Sequence, residues 1–398
     1  MNLIDRRIAA EVLPWQDSNV LGTLVLVDGN PTAGVVDGHN VILAGTNNYL
    51  GLTFHPDCVR ASTEAAVRYG TGTTGSRLAS GTYPDHAALE RELADFYGAR
   101  SAMVFTTGYQ ANVGLISALA DRNSVLMLDA QSHASIYDGA TLSGATTYRF
   151  KHNDAADLDK KLRRLGDKAA NALVIVEGIY SMLGDTAPLA DICEVTTRHG
   201  AALLVDEAHS VGVLGKYGRG LAEEAGVEDQ VDVVVGTFSK SLGTVGGYAV
   251  SRRHDLSQLR AAARAYAYSA SSSPSVMASA RAALKVIRAN PELRERLHNN
   301  ARVTYGALQQ LGYELGPVIT PIVGVHVRDT DQALNAWRFL IDHGVYVNLV
   351  PLQASPGPFC LLRVSLSAAH TPEQIDGIIE AFRALRDSGP LHASSANG

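Results

Sequence analysis

The fold class of this chain is decided by the stretch Val231-Asp232-Val233-Val234-Val235-Gly236-Thr237-Phe238-Ser239-Lys240. The residues that open it have the length and β-branched content of a buried parallel strand, and Lys240 follows them. An earlier run, at residues 201–205, has the same character and is followed by Asp206. Because the carboxyl ends of parallel strands meet at the sheet edge where α/β proteins bind ligands, we expect the lysine and the aspartate to emerge at that edge.

The polar groups at this edge predict a cofactor with a carbonyl group. The amine of Lys240 can form a Schiff base with an aldehyde, and a nearby cationic ring would lower its pKa. The carboxylate of Asp206 can keep a pyridine nitrogen protonated, and His209, three residues later, is close enough to reach the phenolic oxygen of the same ring. The sequence therefore predicts pyridoxal phosphate. The alternative is a helix-capping aspartate and a structural histidine.

The composition is that of an ordinary globular protein with two domains. Of 398 residues, 46% are apolar and 19% are charged, which excludes a disordered chain. The formal net charge of -6 and the pI of about 6.1 give no general attraction for nucleic acid.

Cysteine usage and hydrophobic pattern predict the compartment. Cys58, Cys193 and Cys360 lie far apart without metal-ligand spacing, so we expect buried or free thiols in a reducing compartment and no metal site. Residues 1–15 carry four charges and no apolar core segment, which argues against a signal peptide. No uninterrupted apolar stretch reaches the ~18 residues that span a bilayer. We therefore expect a cytoplasmic protein without a transmembrane segment, and peripheral contact with a membrane stays open.

Between residues 101 and 250, short apolar runs alternate with helix-like segments, which predicts an α/β fold with a mainly parallel sheet and helices on both faces. The runs lie at residues 102–105, 125–128, 173–176, 202–205, 231–235 and 247–250. The last two are close enough in sequence to form an antiparallel pair.

Beyond Pro274 the pattern changes to long helices, at 275–289 and 291–311, followed by strand-like segments at 322–327, 345–347 and 361–364. This order is typical of a smaller α+β unit. A last helix is predicted to begin at Pro372, because Thr371 and Gln374 have the spacing of a capping box. We predict an N-terminal segment (1–45), a large domain (46–273) and a small C-terminal domain (274–398).

Several residues predict sites for anions. Gly108 and Tyr109 come after a predicted strand and open a segment with helical periodicity, and a helix N-terminus of this kind is a natural phosphate site. Thr237 and Ser239 add hydroxyl groups beside the lysine. Arg363 is a charge inside an apolar strand, which predicts a bound anion such as a substrate carboxylate; the alternative is a buried salt bridge.

Gly70, Gly72 and Gly75 match the dinucleotide-binding pattern G-x-G-x-x-G. That pattern must follow a strand, whereas residues 62–69 have the composition of a helix. We interpret the glycines as a tight loop that allows close approach of a ligand or a second subunit. A nicotinamide-dependent dehydrogenase, the alternative, is supported by this triplet alone.

Together these motifs resemble the α-oxoamine synthases, a family of pyridoxal-phosphate enzymes with the aspartate aminotransferase fold. The matching segments are 47–52, 70–77, 107–112, 133–135, 205–210, 236–240, Arg363 and 370–371. The resemblance implies the PLP-dependent transferase fold type I, with a mainly parallel seven-stranded sheet in the large domain and a smaller C-terminal α+β domain. It also implies a homodimer with active sites at the interface.

The resemblance implies a role for each matching residue. Lys240 carries the Schiff base, and Asp206 pairs with the pyridinium nitrogen. His209 hydrogen-bonds the ring oxygen, and His133 stacks over the ring. The residues implied to hold the phosphate are Gly108, Tyr109, Thr237, Ser239 and, from the partner subunit, Ser269. Those implied to face the substrate are Asn48, Ser76 and Arg363.

The implied reaction is a decarboxylative Claisen-type condensation of an amino acid with an acyl-CoA, which yields an aminoketone, CoA and CO2. Within the family, the segments 75–77, 135–139, 180–185 and 345–348 look most like those of bacterial serine palmitoyltransferases. This similarity favours L-serine and palmitoyl-CoA as substrates and 3-ketodihydrosphingosine as the product.

Two alternatives stay open at this point. Asn47 and Pro351 depart from residues seen in some of those enzymes, which keeps open the same chemistry on glycine, alanine or another amino acid, as in 8-amino-7-oxononanoate synthase or 2-amino-3-ketobutyrate CoA ligase. An inert partner subunit of a heterodimeric synthase is the alternative of another class. Such subunits lack the Schiff-base lysine, whereas Lys240 is present.

Overall fold

The computed structural model describes residues 3–10, 25–27, 29–388 and 390. The prediction about a signal peptide concerns residues 1–15, of which 1, 2 and 11–15 lie outside the described residues. No helix in the described ranges is long and apolar enough to cross a membrane.

The strands of the described chain are β1 (Val25–Leu26), β2 (Ala33–Val36), β3 (His39–Leu43), β4 (Ser101–Phe105), β5 (Val125–Asp129), β6 (Thr146–Phe150), β7 (Ala172–Glu177), β8 (Ala202–Asp206), β9 (Val233–Thr237), β10 (Gly247–Ser251), β11 (Ile322–Val327), β12 (Val345–Tyr346), β13 (Asn348–Val350) and β14 (Cys360–Ser365). Its α-helices are α1 (Leu3–Ala10), α2 (Pro56–Tyr69), α3 (Pro84–Tyr97), α4 (Gly108–Leu119), α5 (Ala134–Ser143), α6 (Ala155–Leu165), α7 (Leu189–His199), α8 (Leu221–Glu224), α9 (Arg264–Ala267), α10 (Pro274–Ala289), α11 (Glu292–Gln310), α12 (Thr330–Asp342) and α13 (Pro372–Ser388).

A seven-stranded sheet with the order β4-β10-β9-β8-β7-β5-β6 is the frame of the large domain. Neighbouring strands from β9 to β6 are parallel, whereas β10 is antiparallel to both β9 and β4. The predicted α/β fold, with its mainly parallel sheet and the antiparallel pair at residues 231–250, is confirmed. Strand β6 was not among the predicted apolar runs, because four of its five residues are exposed at the sheet edge.

The central strands are buried on both faces, as parallel strands require. Alternate residues of β7 lie in two different apolar cores: Val174 and Val176 face one, Leu173 and Ile175 the other. This alternation shows that helices cover both faces of the sheet. The glycines at 70, 72 and 75 follow α2 rather than a strand, which confirms that they are not a dinucleotide fingerprint.

A third core belongs to the C-terminal part of the chain. The antiparallel sheet β11-β14-β13 packs against α11, α12 and α13. Strand β12 pairs in parallel with β3, so the apolar residues Val36, Val41 and Leu43 of the N-terminal region lie in this same core. Helix α10 packs instead against α2 and α3. The boundaries predicted at residues 45 and 273 stay a prediction.

The last helix begins where the sequence predicts. The backbone N–H of Gln374 donates to Oγ1 of Thr371 at 3.3 Å, and the backbone N–H of Thr371 donates to Oε1 of Gln374 at 3.1 Å. Pro372 occupies the first helical position, where its missing N–H costs nothing. This capping box fixes the start of α13, whose Ile378 and Phe382 are fully buried.

We expect Thr371→Ala to weaken the first turn of α13, because it removes the side-chain acceptor for one N–H group. The cost should be about 1 kcal/mol, which is roughly a fivefold faster local opening. Hydrogen–deuterium exchange of the peptide that spans residues 371–380 measures it. Thr371→Ser keeps the hydroxyl group and should exchange like the wild type; equal exchange in all three proteins would show that the box contributes nothing.

Candidate active site

A cavity of about 280 Å³ opens at the carboxyl edge of the central sheet. It is lined by residues that follow β4, β5, β7, β8 and β9, together with the first turn of α4. Eight of the predicted site residues lie in its wall: Gly108, Tyr109, His133, Asp206, His209, Thr237, Ser239 and Lys240. The structure therefore brings together the groups that the sequence places at separate strand ends.

Asp206 is fixed at the end of β8. It is 5% exposed, and its Oδ2 accepts a hydrogen bond of 2.6 Å from Nδ2 of Asn112, on α4. Its Oδ1 accepts one of 2.9 Å from the backbone N–H of Ala208, so the aspartate also caps the turn that follows it. Both interactions stabilise the ionised carboxylate in a fixed orientation inside the cavity.

Glu177 is a second buried carboxylate at the same edge. It ends β7 and pairs in register with Asp206 on the neighbouring strand. Burial, and then the nearby charge of Asp206, raise the pKa of Glu177 well above its usual range. Its Oε1 accepts a hydrogen bond of 2.5 Å from the backbone N–H of His133. The sequence analysis missed this residue, although its position directly after an apolar run was a usable signal.

Lys240 places its amine in the cavity three residues after β9. Burial lowers the pKa of Lys240 to about 8, while the charges of Asp206 and Glu177 act in the opposite direction. A lysine with this pKa has a substantial neutral fraction near neutral pH, unlike an ordinary lysine. The neutral amine is the form that attacks a carbonyl and accepts a proton.

The two histidines of the cavity are held by different hydroxyl groups. Nδ1 of His133 lies 2.8 Å from Oγ of Ser135, and burial lowers the pKa of His133. Nδ1 of His209 lies 2.7 Å from the phenol of Tyr49. Burial, and then the charge of Lys240, hold the pKa of His209 well below its usual range, so its imidazole is neutral. Because Tyr49 engages Nδ1, the other ring nitrogen is the one left for a ligand.

One end of the cavity is built for an anion. Oγ1 of Thr107 caps α4 by accepting a hydrogen bond from the backbone N–H of Gln110. The backbone N–H groups of Gly108 and Tyr109 have no intrahelical partner, as at any helix start. The hydroxyl groups of Thr237 and Ser239 lie 2.8 Å apart beside this turn. A Cβ atom on Gly108 would stand 2.9 Å from Cβ of Thr237, so only glycine fits this close approach.

The small residues around Lys240 serve packing rather than the cavity alone. Gly236 lies against the ring of Tyr248, where an added Cβ would come within 2.4 Å. Gly246 has a φ of 147° and lies against Phe238. The two rings are stacked, with centroids 5.4 Å apart. Glycine at positions 236 and 246 therefore makes room for these two packed rings.

Arg363 is buried in β14, outside the lining of the cavity, and it contacts only neutral groups. Its two terminal nitrogens donate to Oδ1 of Asn47 at 3.1 and 3.2 Å, and Nη1 donates to Oγ of Ser365 at 2.9 Å. Its Nε donates to the carbonyl oxygen of Ser181. Among the ion pairs of the described residues none involves Arg363, so no described carboxylate forms the salt bridge of the alternative. Asn47 is a direct partner of Arg363.

The remaining predicted residues, Asn48, Ser76 and Ser269, are not among the residues that line the cavity. Nδ2 of Asn48 donates to Oγ1 of Thr53, while its buried Oδ1 has no partner among the described residues. Ser76 pairs through its backbone with Ala270. Oγ of Ser269 accepts a hydrogen bond of 3.2 Å from the side chain of Gln110, at the anion-binding turn of its own chain. A contribution of Ser269 from a partner subunit stays a prediction.

Comparison with known proteins agrees with this geometry. A family model described as aminotransferase class I and II matches residues 39–382. The chain belongs to this family. It is 54% identical, over 353 residues, to a serine palmitoyltransferase of Caulobacter vibrioides, and the alignment covers 89% of this chain and 87% of the relative. A solved structure of SPT with a PLP internal aldimine has a TM-score of 0.94 at 44% identity and covers 98% of this chain and 100% of that one.

A relative with another activity is less similar. An 8-amino-7-oxononanoate synthase of Pelobacter propionicus is 40% identical over 356 residues, which cover 88% of this chain and 90% of the relative. The resemblance to the α-oxoamine synthases, and among them to serine palmitoyltransferases, is confirmed. Fold type I, with a seven-stranded sheet and a smaller C-terminal domain, is confirmed as well.

The low pKa of Lys240 can be measured in protein freed of pyridoxal phosphate. We expect the rate of acylation of Lys240 by a small anhydride to rise with a midpoint near pH 8, because burial favours the neutral amine. Competitive labelling followed by peptide mass spectrometry reads this midpoint. A midpoint close to the ordinary lysine pKa of about 10.4 would show that the amine is solvated like a surface lysine.

Proposed function

We propose that this chain is a PLP-dependent acyltransferase that condenses L-serine with a long-chain acyl-CoA. The observation that carries the proposal is the single cavity that holds a lysine with lowered pKa, a fixed carboxylate and a helix N-terminus ringed by hydroxyl groups. These features suit a cofactor with an aldehyde, a basic ring nitrogen and a phosphate. The similarity to serine palmitoyltransferases over most of the chain supports the choice of substrates.

Each end of the cavity fits one part of pyridoxal phosphate. Gly108 and Tyr109 would offer backbone N–H groups to the phosphate, with the hydroxyl groups of Thr237 and Ser239 beside them. Asp206, oriented by Asn112, would face the ring nitrogen and keep it protonated. His209 would donate to or accept from the ring oxygen, and His133 would lie over the ring. Lys240 would hold the aldehyde.

When bound, pyridoxal phosphate supplies an aldehyde for the amino acid and a ring that accepts the electron pair released at Cα. Lys240 would have two tasks at one atom: its Nζ would hold the aldehyde until an amino acid binds, and it would then take up the Cα proton as the base. Its lowered pKa suits both. In the net reaction Cα loses a proton and bonds to the acyl carbon, and the carbon–sulfur bond breaks so that CoA leaves as a thiol with a proton. The Cα–carboxylate bond then breaks to release CO2, and a proton from solvent takes the place of the carboxylate on Cα.

Arg363 would bind the carboxylate of the amino acid. Arg363 is 5% exposed and its guanidinium donates to neutral acceptors, so its positive charge has no compensation among the described side chains that bond to it. A buried charge without a counter-ion is costly, and a bound carboxylate supplies one. Asn48 and Ser76 are proposed to complete the substrate side.

We infer that the chain works as a homodimer in the cytoplasm, with Ser269 of one subunit reaching the phosphate of the other. Tyr109 and Val245 line the cavity yet are 46% and 53% exposed, and Tyr268, next to Ser269, is 76% exposed. A second subunit would cover these side chains. Sedimentation equilibrium should give twice the 42.2 kDa mass of the chain; a mass of 42.2 kDa at assay concentration would contradict the homodimer.

A panel of amino acids tests the substrate assignment. Purified protein is offered L-serine, glycine and L-alanine, each with short-chain and palmitoyl-CoA, and thiol release is measured. We expect L-serine with palmitoyl-CoA to give the highest kcat/KM. A preference for glycine or L-alanine would replace the substrate assignment and keep the chemistry, whereas no thiol release with any pair would contradict the proposed function.

Lys240→Ala tests the role of the lysine. We expect kcat to fall by at least about 10²–10⁴-fold, which is the usual contribution of a positioned base. The variant loses both the Schiff-base amine and the base. Thermal unfolding should change little, since the side chain only lines the cavity. In the wild type, borohydride should fix the cofactor to Lys240, as read by peptide mass spectrometry. Wild-type turnover in the variant, or a borohydride label on another residue, would contradict the role of Lys240. Absence of both turnover and label in the wild type would favour the inert-subunit alternative.

A further inference from the structure

A cluster of charged side chains outside the cavity joins three elements of the large domain. His152 lies in the turn after β6, Asp129 ends β5, and Asp185 belongs to the segment 178–186 that follows β7. Nδ1 of His152 lies 2.8 Å from Oδ1 of Asp129, and its Nε2 lies 2.6 Å from Oδ2 of Asp185. The three side chains are 18%, 0% and 6% exposed. Neither the sequence motifs nor the reaction accounts for them.

The geometry fixes the protonation of this cluster. Ionised carboxylate oxygens only accept hydrogen bonds, so each ring nitrogen that faces one must carry a proton. His152 is therefore an imidazolium between two carboxylates. Asn153 adds hydrogen bonds to both, with its backbone N–H to Asp129 at 2.9 Å and its Nδ2 to Asp185 at 2.8 Å. The ring of Tyr180 packs edge-on against the imidazole, with centroids 4.5 Å apart.

The segment 178–186 connects His152 to Arg363, because it contains both Asp185 and Ser181. Two backbone hydrogen bonds close this segment into a loop. The N–H of Tyr180 donates to the carbonyl oxygen of Asp185 at 2.8 Å, and the N–H of Gly184 donates to the carbonyl oxygen of Tyr180 at 3.1 Å. Within this closed loop, the carbonyl oxygen of Ser181 accepts the hydrogen bond from Nε of Arg363. On the other side, Oγ1 of Thr320 donates to the carbonyl of Gly184 at 2.8 Å.

We propose that His152 is a positioning residue: it anchors the segment 178–186 and thereby orients Arg363 toward the carboxylate of the amino-acid substrate. This rests on the proposed function of Arg363. The side chain of His152 does not line the cavity, so it acts only through the loop. Arg363 has its three nitrogens on Ser181, Asn47 and Ser365, and the loop supplies the contact at Nε, which sets the plane of the guanidinium.

The test compares wild type with His152→Gln, which keeps one donor and places an oxygen against the second carboxylate. We expect KM for the preferred amino acid to rise by about tenfold while kcat and KM for acyl-CoA stay within about twofold, since only carboxylate binding is loosened. His199→Gln is the matched control, because His199 forms a similar bridge of 2.9 Å to Asp159, on α6, away from the loop. It should leave all three constants unchanged.

Hydrogen–deuterium exchange of residues 178–186 gives a readout that does not depend on turnover. Exchange should be faster in His152→Gln and unchanged in His199→Gln. If His152→Gln does not fold, Asp185→Asn removes the same charge pair and should show the same pattern. Normal loop exchange, or a normal KM with faster exchange, would overturn the positioning role. Failure of the wild type with every amino acid would instead contradict the proposed function, and the exchange experiment would still decide the anchor.

The pH dependence of stability offers a further check. Burial lowers the pKa of His152, but the hydrogen bonds to Asp129 and Asp185 outweigh this and raise it to about 9. The pKa of His152 in the folded protein therefore lies above its value of about 6.5 in the unfolded chain. The charged His152 then stabilises the folded state fully below pH 6.5, and this contribution is lost as the pH rises through about 9. The difference in melting temperature between wild type and His152→Gln should therefore shrink between pH 7 and pH 10. The other titratable group at the ring, Tyr180, has its pKa raised by burial and stays neutral in this range. A difference that is constant with pH would contradict the imidazolium.

Discussion

The compensation of charges at the carboxyl edge of the central sheet is the constraint on which the rest of this structure depends. Two carboxylates, Glu177 and Asp206, are buried on adjacent parallel strands, and Lys240 is buried close enough for both to act on its pKa. Burying such groups singly costs several kcal/mol each. The site lowers that cost in three ways: it raises the pKa of Glu177, gives Asp206 two hydrogen-bond donors and lowers the pKa of Lys240. The same arrangement makes the amine of Lys240 easier to deprotonate than an ordinary lysine while a carboxylate is fixed nearby, and these properties suit the proposed Schiff-base chemistry with a pyridinium ring.

The positive charge of Arg363, unlike that of Lys240, is buried without a neighbouring carboxylate among its described hydrogen-bond partners. Arg363 comes from the small C-terminal sheet, and its partners are a backbone carbonyl, an amide and a hydroxyl group. These groups satisfy its donors without neutralising its charge. The guanidinium is therefore held ready for an anion, and the loop 178–186 is the part of the large domain that reaches it. The proposed site would thus use both sheets, with the cofactor held at the edge of one and the substrate carboxylate bound by Arg363 on the other.

The relatives of this chain have two different names although they are similar to it over nearly the same share of its length. Serine palmitoyltransferase and 8-amino-7-oxononanoate synthase relatives align with this chain at 54% and 40% identity over nearly the same share of its length. Asn47 contacts both terminal nitrogens of Arg363. If Arg363 binds the substrate carboxylate, as proposed, this contact lies at the amino-acid end of the site.

The sequence alone determined the strands of the central sheet other than β6, the start of α13 and most of the polar groups of the cavity. These features depend on local signals: β-branched runs for strands, the Thr371–Gln374 spacing for a capping box, and polar residues directly after strands for a site at their common edge. Tertiary structure alone decided which residues from distant segments support them. Strand β6 has no apolar pattern because it is an exposed edge, and the pairing of Tyr49 with His209 joins positions 160 residues apart. The neutral surroundings of Arg363 and the two carboxylates around His152 likewise come from packing between separate elements, which no spacing along the chain encodes.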